Sequence, residues 1–382
     1  MPGTPGAQRA AIVGVGQTEF SKNSGRSELQ LAAEAVNAAI VDAGLRPSDI
    51  DGFVTFTLDE NDELDLMRSV GIPHIRWASR TAFGGGGSAA TVQHAAAAVL
   101  SGMADAVVIY RAFNERSGQR FGQPVQMHLA SLNLYLPFGL DTPAKMYSLW
   151  FQRYMDTYGL SNADFGRYSV QARQYAATNP RAWFHGRPIT LDDHQSSRWI
   201  VEPILRLLDC CPESDGGVAL VVTTEERARD LRHPVVRIAA ASHGNVIDGS
   251  TLFNYYHADT ARFVEAESVA EQLYATAGLT PSDVDVALLY DHFSPVVFYQ
   301  LEAFGFCGLG EARDFIADGN IAIDGTIPVN THGGLLGEGY LHGVNNIIEG
   351  VRQLRGSAAN QIRGARNALV GAGVSGMILS TD

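Results

Sequence analysis

Lysine, cysteine and long apolar stretches are all scarce in this chain of 382 residues. Its only lysines are Lys22 and Lys145, and neither lies in a recognisable motif, which disfavours catalysis through a Schiff base. The three cysteines, Cys210, Cys211 and Cys307, have neither redox nor metal-ligand spacing, and their odd number argues against a disulfide framework. The chemistry must therefore come from other side chains.

Basic charge is scarce as well, since 41 acidic residues outnumber 28 lysines and arginines and give a net charge of −13. An acidic protein without a basic run is a poor ligand for nucleic acids or anionic membranes. No run of 18 uninterrupted apolar residues predicts a membrane span, and the first residues contain no apolar signal-peptide core. We therefore expect a cytoplasmic protein that neither binds nucleic acid nor spans a membrane.

Apolar residues and glycine, by contrast, are abundant. Hydrophobic residues make up 46% of the chain, which is enough for a large core, and 40 residues are glycine, against a usual ~7%. The length favours two domains or one duplicated domain.

A repeated phrase favours duplication. AGLRPSDID at residues 43–51 returns as AGLTPSDVD at residues 277–285, each time after a helical pattern and before a strand. The first helix is predicted over residues 28–43 and its strand over 50–56. Convergence on a good helix-stop and turn is the alternative explanation.

A second parallel supports the same interpretation, because each half also carries a glycine loop that leads into a helix. The loops are FGGGGS at residues 83–88 and GGLLGEG at residues 333–339, and the helices are predicted over about 89–101 and 345–354. We expect an α/β fold of two duplicated αβαβα layered halves. One half is residues 8–115 with 205–235, and the other is residues 236–382. An insertion at residues 116–204, rich in aromatic residues and arginine, is predicted to cover the site.

Four motifs resemble those of the thiolase superfamily, and more narrowly its sterol carrier protein x type, over nearly the whole chain. The first glycine loop stands where thiolases keep a nucleophilic cysteine, at a place that matches Gly84. YDHF at residues 290–293 stands in the place of a His-Asp-Cys-Phe motif. NTHGG at residues 330–334 stands in the place of Asn-Pro-x-Gly-Gly, and GYL at residues 339–341 stands in the place of the Gly-His-Pro that follows it. VGAG at 370–373 replaces the last cysteine loop. Both thiolase cysteines and histidines are therefore missing, and Tyr290 and Tyr340 occupy the histidine places.

Without a thiolate the chain cannot form an acyl-enzyme, which argues against Claisen chemistry. A thiolase fold with two tyrosines and no cysteine at the catalytic places resembles the steroid side-chain-cleaving aldolases of actinobacteria, the lipid-transfer-protein type. The resemblance implies retro-aldol cleavage of a 17-hydroxy steroid 20-carboxyl-CoA to a 17-ketosteroid and propionyl-CoA. The substrate is then a CoA thioester, and no further cofactor is required. It also implies a small OB-fold/zinc-ribbon partner protein of an acyl-CoA hydratase, with a homodimer inside a heterotetramer.

The same resemblance suggests roles for individual residues. Tyr340, placed at the start of the second helix, is the candidate base, because a helix N-terminus favours the phenolate. Tyr290 is expected to hydrogen-bond the enolate and return a proton, although the opposite assignment remains open. The loop amides at Gly84 are expected to stabilise the thioester oxygen. His292 and His332 are expected to orient a tyrosine or to bind that oxygen.

Other polar residues of these motifs have alternative interpretations. Asp291 is expected to brace its loop, and Glu338 to be a base partner or simply solvated. His292, His332, Glu338 and His342 match no compact metal motif, so no metal site is predicted. Tyr255, Tyr256 and Tyr274 are expected in the core or at its rim.

Two other functional classes remain open. One is a non-catalytic acyl-CoA- or lipid-binding thiolase-like subunit, and the other is a cysteine-free condensing enzyme.

Overall fold

A computed structural model describes residues 9–82, 84–124, 132–246 and 259–382 of the chain. Phe83 of the first glycine loop and the tyrosines Tyr255 and Tyr256 lie outside these ranges. None of the helices in them is long and apolar enough to cross a membrane.

The chain alternates strands and helices in two series with a largely helical segment between them. The first series is β1 (Ala10–Gln17), α1 (Glu28–Ala43), β2 (Gly52–Phe56), α2 (Glu63–Val70), β3 (Trp77–Thr81), α3 (Ser88–Leu100) and β4 (Ala106–Asn114). The middle segment is α4 (Leu132–Tyr135), α5 (Pro143–Tyr158), α6 (Asn162–Thr178), α7 (Leu191–Ser196), β5 (Trp199–Val201) and β6 (Leu205–Arg206), followed by β7 (Asp215–Thr224) and α8 (Glu225–Ala228). The second series is β8 (Val236–His243), α9 (Val264–Ala277), β9 (Val286–Leu289), α10 (Ser294–Ala303), α11 (Ala312–Ala317), α12 (Gly334–Gly337), α13 (Val344–Arg355), β10 (Asn367–Gly371) and β11 (Ser375–Ser380).

Nine of these strands form one mixed sheet in the order β3-β2-β4-β7-β1-β8-β11-β10-β9. Strand β2 pairs in parallel with β3 and β4, and β9 pairs in parallel with β10, while the other neighbours are antiparallel. Strands β1 and β8 lie side by side at the centre. Outward from them, β7, β4 and β2 on one side match β11, β10 and β9 on the other, and β3 extends the first side. The sheet therefore has the duplicated arrangement that the sequence predicts.

The repeated phrase performs the same local task in both halves. Gly44 and Gly278 end α1 and α9 in the left-handed conformation, at φ of 72° and 68°, which glycine adopts without a Cβ penalty. A short 3-10 turn follows each glycine, and the carboxylate of Asp49 or of Asp283 accepts a backbone N–H three residues earlier, at 2.9 and 2.8 Å. Strand β2 follows the first of these turns, and β9 follows the second.

The segment between β4 and β7 packs onto the second half of the molecule. Helix α6 contacts α10, α11 and α12, and it approaches α12 so closely that a Cβ on Gly337 would lie 2.6 Å from the Cβ of Ala176. Helix α5 packs against α10, where the ring of Tyr154 lies 4.5 Å from that of Tyr299. We propose residues 116–204 as the limits of this inserted unit.

Candidate active site

Two tyrosines from the second half meet at the edge where β9 and β10 end. Tyr290 directly follows β9, and its backbone N–H donates to the carbonyl of Gly371 at 2.9 Å. Tyr340 lies in the segment between α12 and α13. The two phenolic oxygens are 2.8 Å apart, so one hydroxyl donates to the other. The structure thus brings together the two tyrosines that the motifs indicate.

The glycine loop of the first half provides the space for this pair. A Cβ on Gly85 would lie 1.6 Å from the Tyr290 Oη and 1.9 Å from its Cζ, so no side chain fits there while Tyr290 holds its place. Gly84, the residue matched to the nucleophile from sequence, instead faces the ring of His342. Gly85–Gly87 form a 3-10 turn that leads into α3 at Ser88. The loop residue beside the tyrosine pair is therefore Gly85.

The surroundings of Tyr340 raise its pKa, whereas the sequence predicts a lowered one. Helix α13 begins at Val344, after Gly343, so Tyr340 does not open it as expected. Burial raises the pKa of Tyr340 well above its ordinary value, and electrostatic interactions with Cys211 and Glu115 raise it further. Burial likewise raises the pKa of Tyr290, with Tyr340 as the next largest cause. Both tyrosines are consequently neutral phenols at physiological pH.

A cavity of about 380 Å³ reaches Tyr290 from outside, a volume within the range of small-molecule sites. Its walls are mainly aromatic and come from both halves and from the insertion. The residues include Tyr147, Trp150 and Phe151 of α5, Phe263, and Tyr299 of α10, together with Gly86, Gly87 and the 372–374 loop. The apolar lining suits an uncharged ring system rather than a charged group. The three α5 aromatics have the i, i+3, i+4 spacing of one helix face, a signal that sequence reasoning could have used.

His292 lines the same cavity, with its ring 4.9 Å from that of Tyr290 and 4.9 Å from that of Tyr147. Its Nδ1 is buried and has no hydrogen-bond partner among the described residues. Burial lowers the pKa of His292 to about 3, so the imidazole is neutral. This neutral ring can offer one N–H to a ligand oxygen in the cavity.

Asp291 braces the loops rather than facing the cavity. Its Oδ1 accepts the Leu335 N–H at 2.7 Å, and its Oδ2 accepts the Tyr168 hydroxyl at 2.7 Å. The carboxyl thereby joins the loop after β9 to the start of α12 and to the inserted α6. Although these bonds favour the carboxylate, burial outweighs them and raises the pKa of Asp291 to about 7.

The raised pKa of Asp291 predicts a pH-dependent stability. Below about pH 4 the carboxyl is protonated in both states. Between about pH 4 and 7 it ionises in the unfolded chain while the folded protein keeps the proton, so stability falls as pH rises. In the Asp291→Asn variant this fall should be smaller by roughly 2–4 kcal/mol, since one pKa unit is about 1.4 kcal/mol. Urea unfolding at several pH values measures the free energy of unfolding and its change with pH. Asp283→Asn, at an exposed turn, is the control, and equal slopes in wild type and Asp291→Asn would contradict the assignment.

His332 and Glu338 belong to a separate buried network behind the loops. The His332 Nε2 lies 3.1 Å from the Asn346 Oδ1 and 3.8 Å from the Glu338 carboxylate. Glu338 is fully buried and accepts an amide N–H of Asn345 at 2.9 Å, so it is not solvated. None of the hydrogen bonds of His332 in the described ranges reaches either tyrosine. Its support of the tyrosine pair remains a prediction.

A metal-binding arrangement of the four residues considered from sequence is not formed. Within the described part of the chain, no three histidine, cysteine, aspartate or glutamate side chains are grouped as metal ligands. His332 and Glu338 share one network, whereas His292 lines the cavity and His342 contacts the glycine loop.

Sequence reasoning missed two buried polar groups beside Tyr340. Glu115 is buried, and its carboxylate accepts the backbone N–H of Ser214 at 3.2 Å. Arg111 is also buried and donates to His342. Neither has a local signal, because their partners lie 99 and 231 residues away along the chain.

Comparisons with known proteins agree with this fold. Residues 250–381 match the family described as thiolase C-terminal domain-like. The chain is 55% identical to a steroid side-chain-cleaving aldolase of Thermomonospora curvata, over 99% of each chain. It is 54% identical to the 17-hydroxy-3-oxo-4-pregnene-20-carboxyl-CoA lyase of Mycobacterium tuberculosis, over 97% and 99% of the two chains.

Two solved structures extend the likeness to three dimensions. The Ltp2-ChsH2(DUF35) aldolase superposes with a TM-score of 0.92 at 55% identity, over 97% of each chain. Human mitochondrial 3-ketoacyl-CoA thiolase superposes with a TM-score of 0.70 over 98% of each chain, and at 14% identity it shows the fold alone. The protein therefore has the thiolase fold, with a tyrosine pair in its candidate active site. Within that class, it belongs to the family of steroid side-chain-cleaving aldolases.

Proposed function

We propose that this chain cleaves a 17-hydroxy steroid 20-carboxyl-CoA by a retro-aldol reaction, giving a 17-ketosteroid and propionyl-CoA. The observation that carries the proposal is the 2.8 Å hydrogen bond between the Tyr290 and Tyr340 hydroxyls at the end of an aromatic cavity. The names of the two relatives, an aldolase and a carboxyl-CoA lyase, support the reaction type and the substrate class.

The tyrosine pair can transfer a proton from the C17 hydroxyl to C20, which is the net proton transfer that the reaction requires. Cleavage removes a proton from the C17 hydroxyl, breaks the C17–C20 bond and adds a proton to C20 of the propionyl-CoA enolate. In our proposal Tyr340 accepts the proton of the C17 hydroxyl and at the same time passes its own phenolic proton to Tyr290. Tyr290 in turn delivers its phenolic proton to C20. Because the proton moves through two neutral phenols, no free phenolate is required, which agrees with their raised pKa values.

The thioester oxygen must be stabilised while the enolate exists. Backbone N–H groups of the loop at Gly84–Gly86 are one source, because donors placed where charge develops lower the barrier without reorganising. The neutral His292, with its unpartnered Nδ1 at the cavity wall, is a second source. The thioester acts as its own electron sink, and we propose that no separate cofactor takes part.

We also propose that the chain works with a small DUF35-type partner, the OB-fold/zinc-ribbon protein of an acyl-CoA hydratase. The similar solved aldolase, whose name includes a ChsH2(DUF35) component, supports this part. A homodimer that carries two partner chains is the expected assembly.

Product analysis tests the proposed reaction. Incubation with the 17-hydroxy 20-carboxyl-CoA substrate, with and without the partner, should release equal amounts of ketosteroid and propionyl-CoA, measured by mass spectrometry. Binding of the CoA ester without any product, even with the partner present, would instead indicate a non-catalytic subunit. A product longer than the substrate would indicate a condensing enzyme.

A further inference from the structure

Three buried polar side chains outside the tyrosine pair form a chain of contacts that leads to the glycine loop. The Asp59 carboxylate accepts Arg111 Nη1–H at 2.8 Å, and Arg111 Nε–H donates to His342 Nδ1 at 3.0 Å. The exposed fractions of the Asp59 and Arg111 side chains are 0% and 2%, and that of His342 is 2%. An ion pair enclosed in this way has one geometry, because leaving either charge unpaired would be costly.

The contact with Arg111 fixes where His342 carries its proton. Arginine can only donate, so the His342 Nδ1 must be the acceptor. Burial and the charge of Arg111 lower the pKa of His342 well below its ordinary value, with His292 as a smaller cause, so the ring is neutral. A neutral imidazole that accepts at Nδ1 bears its hydrogen on Nε2.

The ring of His342 packs directly on the glycine loop. A Cβ on Gly84 would lie 2.6 Å from its Cε1, 2.7 Å from its Nε2 and 2.8 Å from its Nδ1. The ring also stacks on Phe113 at 5.1 Å and meets the edge of Tyr340 at 5.3 Å. His342 has a φ of 52°, a rare value for a residue other than glycine. The backbone of His342 therefore adopts an unfavourable conformation, in which its ring lies between the loop and Tyr340.

We propose that Asp59 and Arg111 hold His342 as the neutral Nε2–H tautomer, and that this N–H makes His342 a positioning residue for the glycine loop and Tyr340. The positioning role rests on the proposed function, because the glycine loop and Tyr340 are groups of the proposed aldolase reaction. The tautomer itself does not depend on any activity.

Nitrogen NMR of protein labelled with ¹⁵N-histidine tests the tautomer without substrate. The signal of His342, assigned among the eleven histidines by its loss in His342→Gln, should show a neutral ring protonated on Nε2 from pH 6 to 8. In the double variant Asp59→Asn with Arg111→Met, which keeps the ring and removes its anchor, the tautomers should mix. An Nδ1–H ring or an imidazolium in the wild type would overturn the proposal.

A matched pair of substitutions tests the positioning role once wild-type cleavage has been measured. Glutamine can accept from Arg111 and still donate toward the loop, whereas methionine has similar length and can do neither. We expect His342→Met to lower kcat by about 10- to 100-fold with KM nearly unchanged, and His342→Gln to restore most of that loss. The Asp59→Asn/Arg111→Met variant should lose kcat to a similar extent.

His233→Met, on the half-buried histidine that contacts Asp42 at 3.0 Å, is the control and should leave kcat unchanged. Equal losses in the glutamine and methionine variants, or wild-type kcat in both, would refute a donor role for His342. If the wild type cleaves nothing, the proposed function fails, while the NMR experiment still decides the tautomer.

Discussion

Tyr340→Phe should lower kcat for the cleavage of the hydroxyacyl-CoA by about 10²–10⁴-fold, the usual contribution of a positioned acid or base. Phenylalanine keeps the ring that packs edge-on to Phe113 and His342 and removes only the hydroxyl. The binding of the CoA ester should therefore change little. Single-turnover kinetics and the KM of the variant separate the two effects.

Tyr290→Phe should cause a loss of the same order, because the proton relay needs both hydroxyls. The double variant should be little worse than either single one, since residues that act as a unit are not additive. Tyr274→Phe is the control. It removes a hydroxyl that donates to the Phe304 carbonyl at 2.8 Å, and neither residue lines the cavity, so kcat should be unchanged. Cleavage that survives in both single variants would rule out the relay.

Gly85→Ala should be almost as damaging as the loss of a tyrosine hydroxyl, about 10²–10⁴-fold in kcat, although it adds only one methyl group. The new Cβ would lie 1.6 Å from the Tyr290 Oη, so the phenol must leave its place and its 2.8 Å bond to Tyr340 must break. Overpacking of this kind also costs about 1–3 kcal/mol of stability. Steady-state kinetics and thermal unfolding measure the two losses.

Gly86→Ala is the matched control in the same turn. A Cβ there would meet only Val374 Cγ2 at 3.2 Å and the Ala372 carbonyl oxygen at 3.7 Å, so small adjustments suffice. We expect less than about a tenfold change in kcat, because the added methyl group causes only mild overpacking and displaces neither tyrosine. If the two alanine variants are equally active, the contact between Gly85 and Tyr290 is not essential.

Local signals in the sequence predicted much of the fold. The apolar spacing and Gly44 place helix α1 at residues 28–43, which is its observed range. The repeated phrase correctly indicated two halves built alike, because the same turn chemistry recurs with the same capping bonds. The two tyrosines were recognised through their motifs, and the structure joins them with one hydrogen bond.

The remaining features depend on contacts between distant segments, which the sequence does not display. The pKa of Tyr340 was expected to fall at a helix N-terminus, but α13 starts four residues later and burial raises the pKa instead. Glu338 lies in a glycine-rich stretch typical of exposed loops, yet α6 and α13 enclose it. The pairing of Arg111 with His342 joins residues from different halves and has no local pattern.

The close approach of Gly85 to the Tyr290 hydroxyl also limits how such a site can change in evolution or in the laboratory. A side chain at residue 85 and a phenol at residue 290 cannot occupy their places together. A route that installs any side chain at residue 85 must therefore first remove the phenol, and the reverse route must first clear residue 85. Libraries of single substitutions at residue 85 should then yield only proteins of strongly reduced activity, and changes at both positions must be screened together.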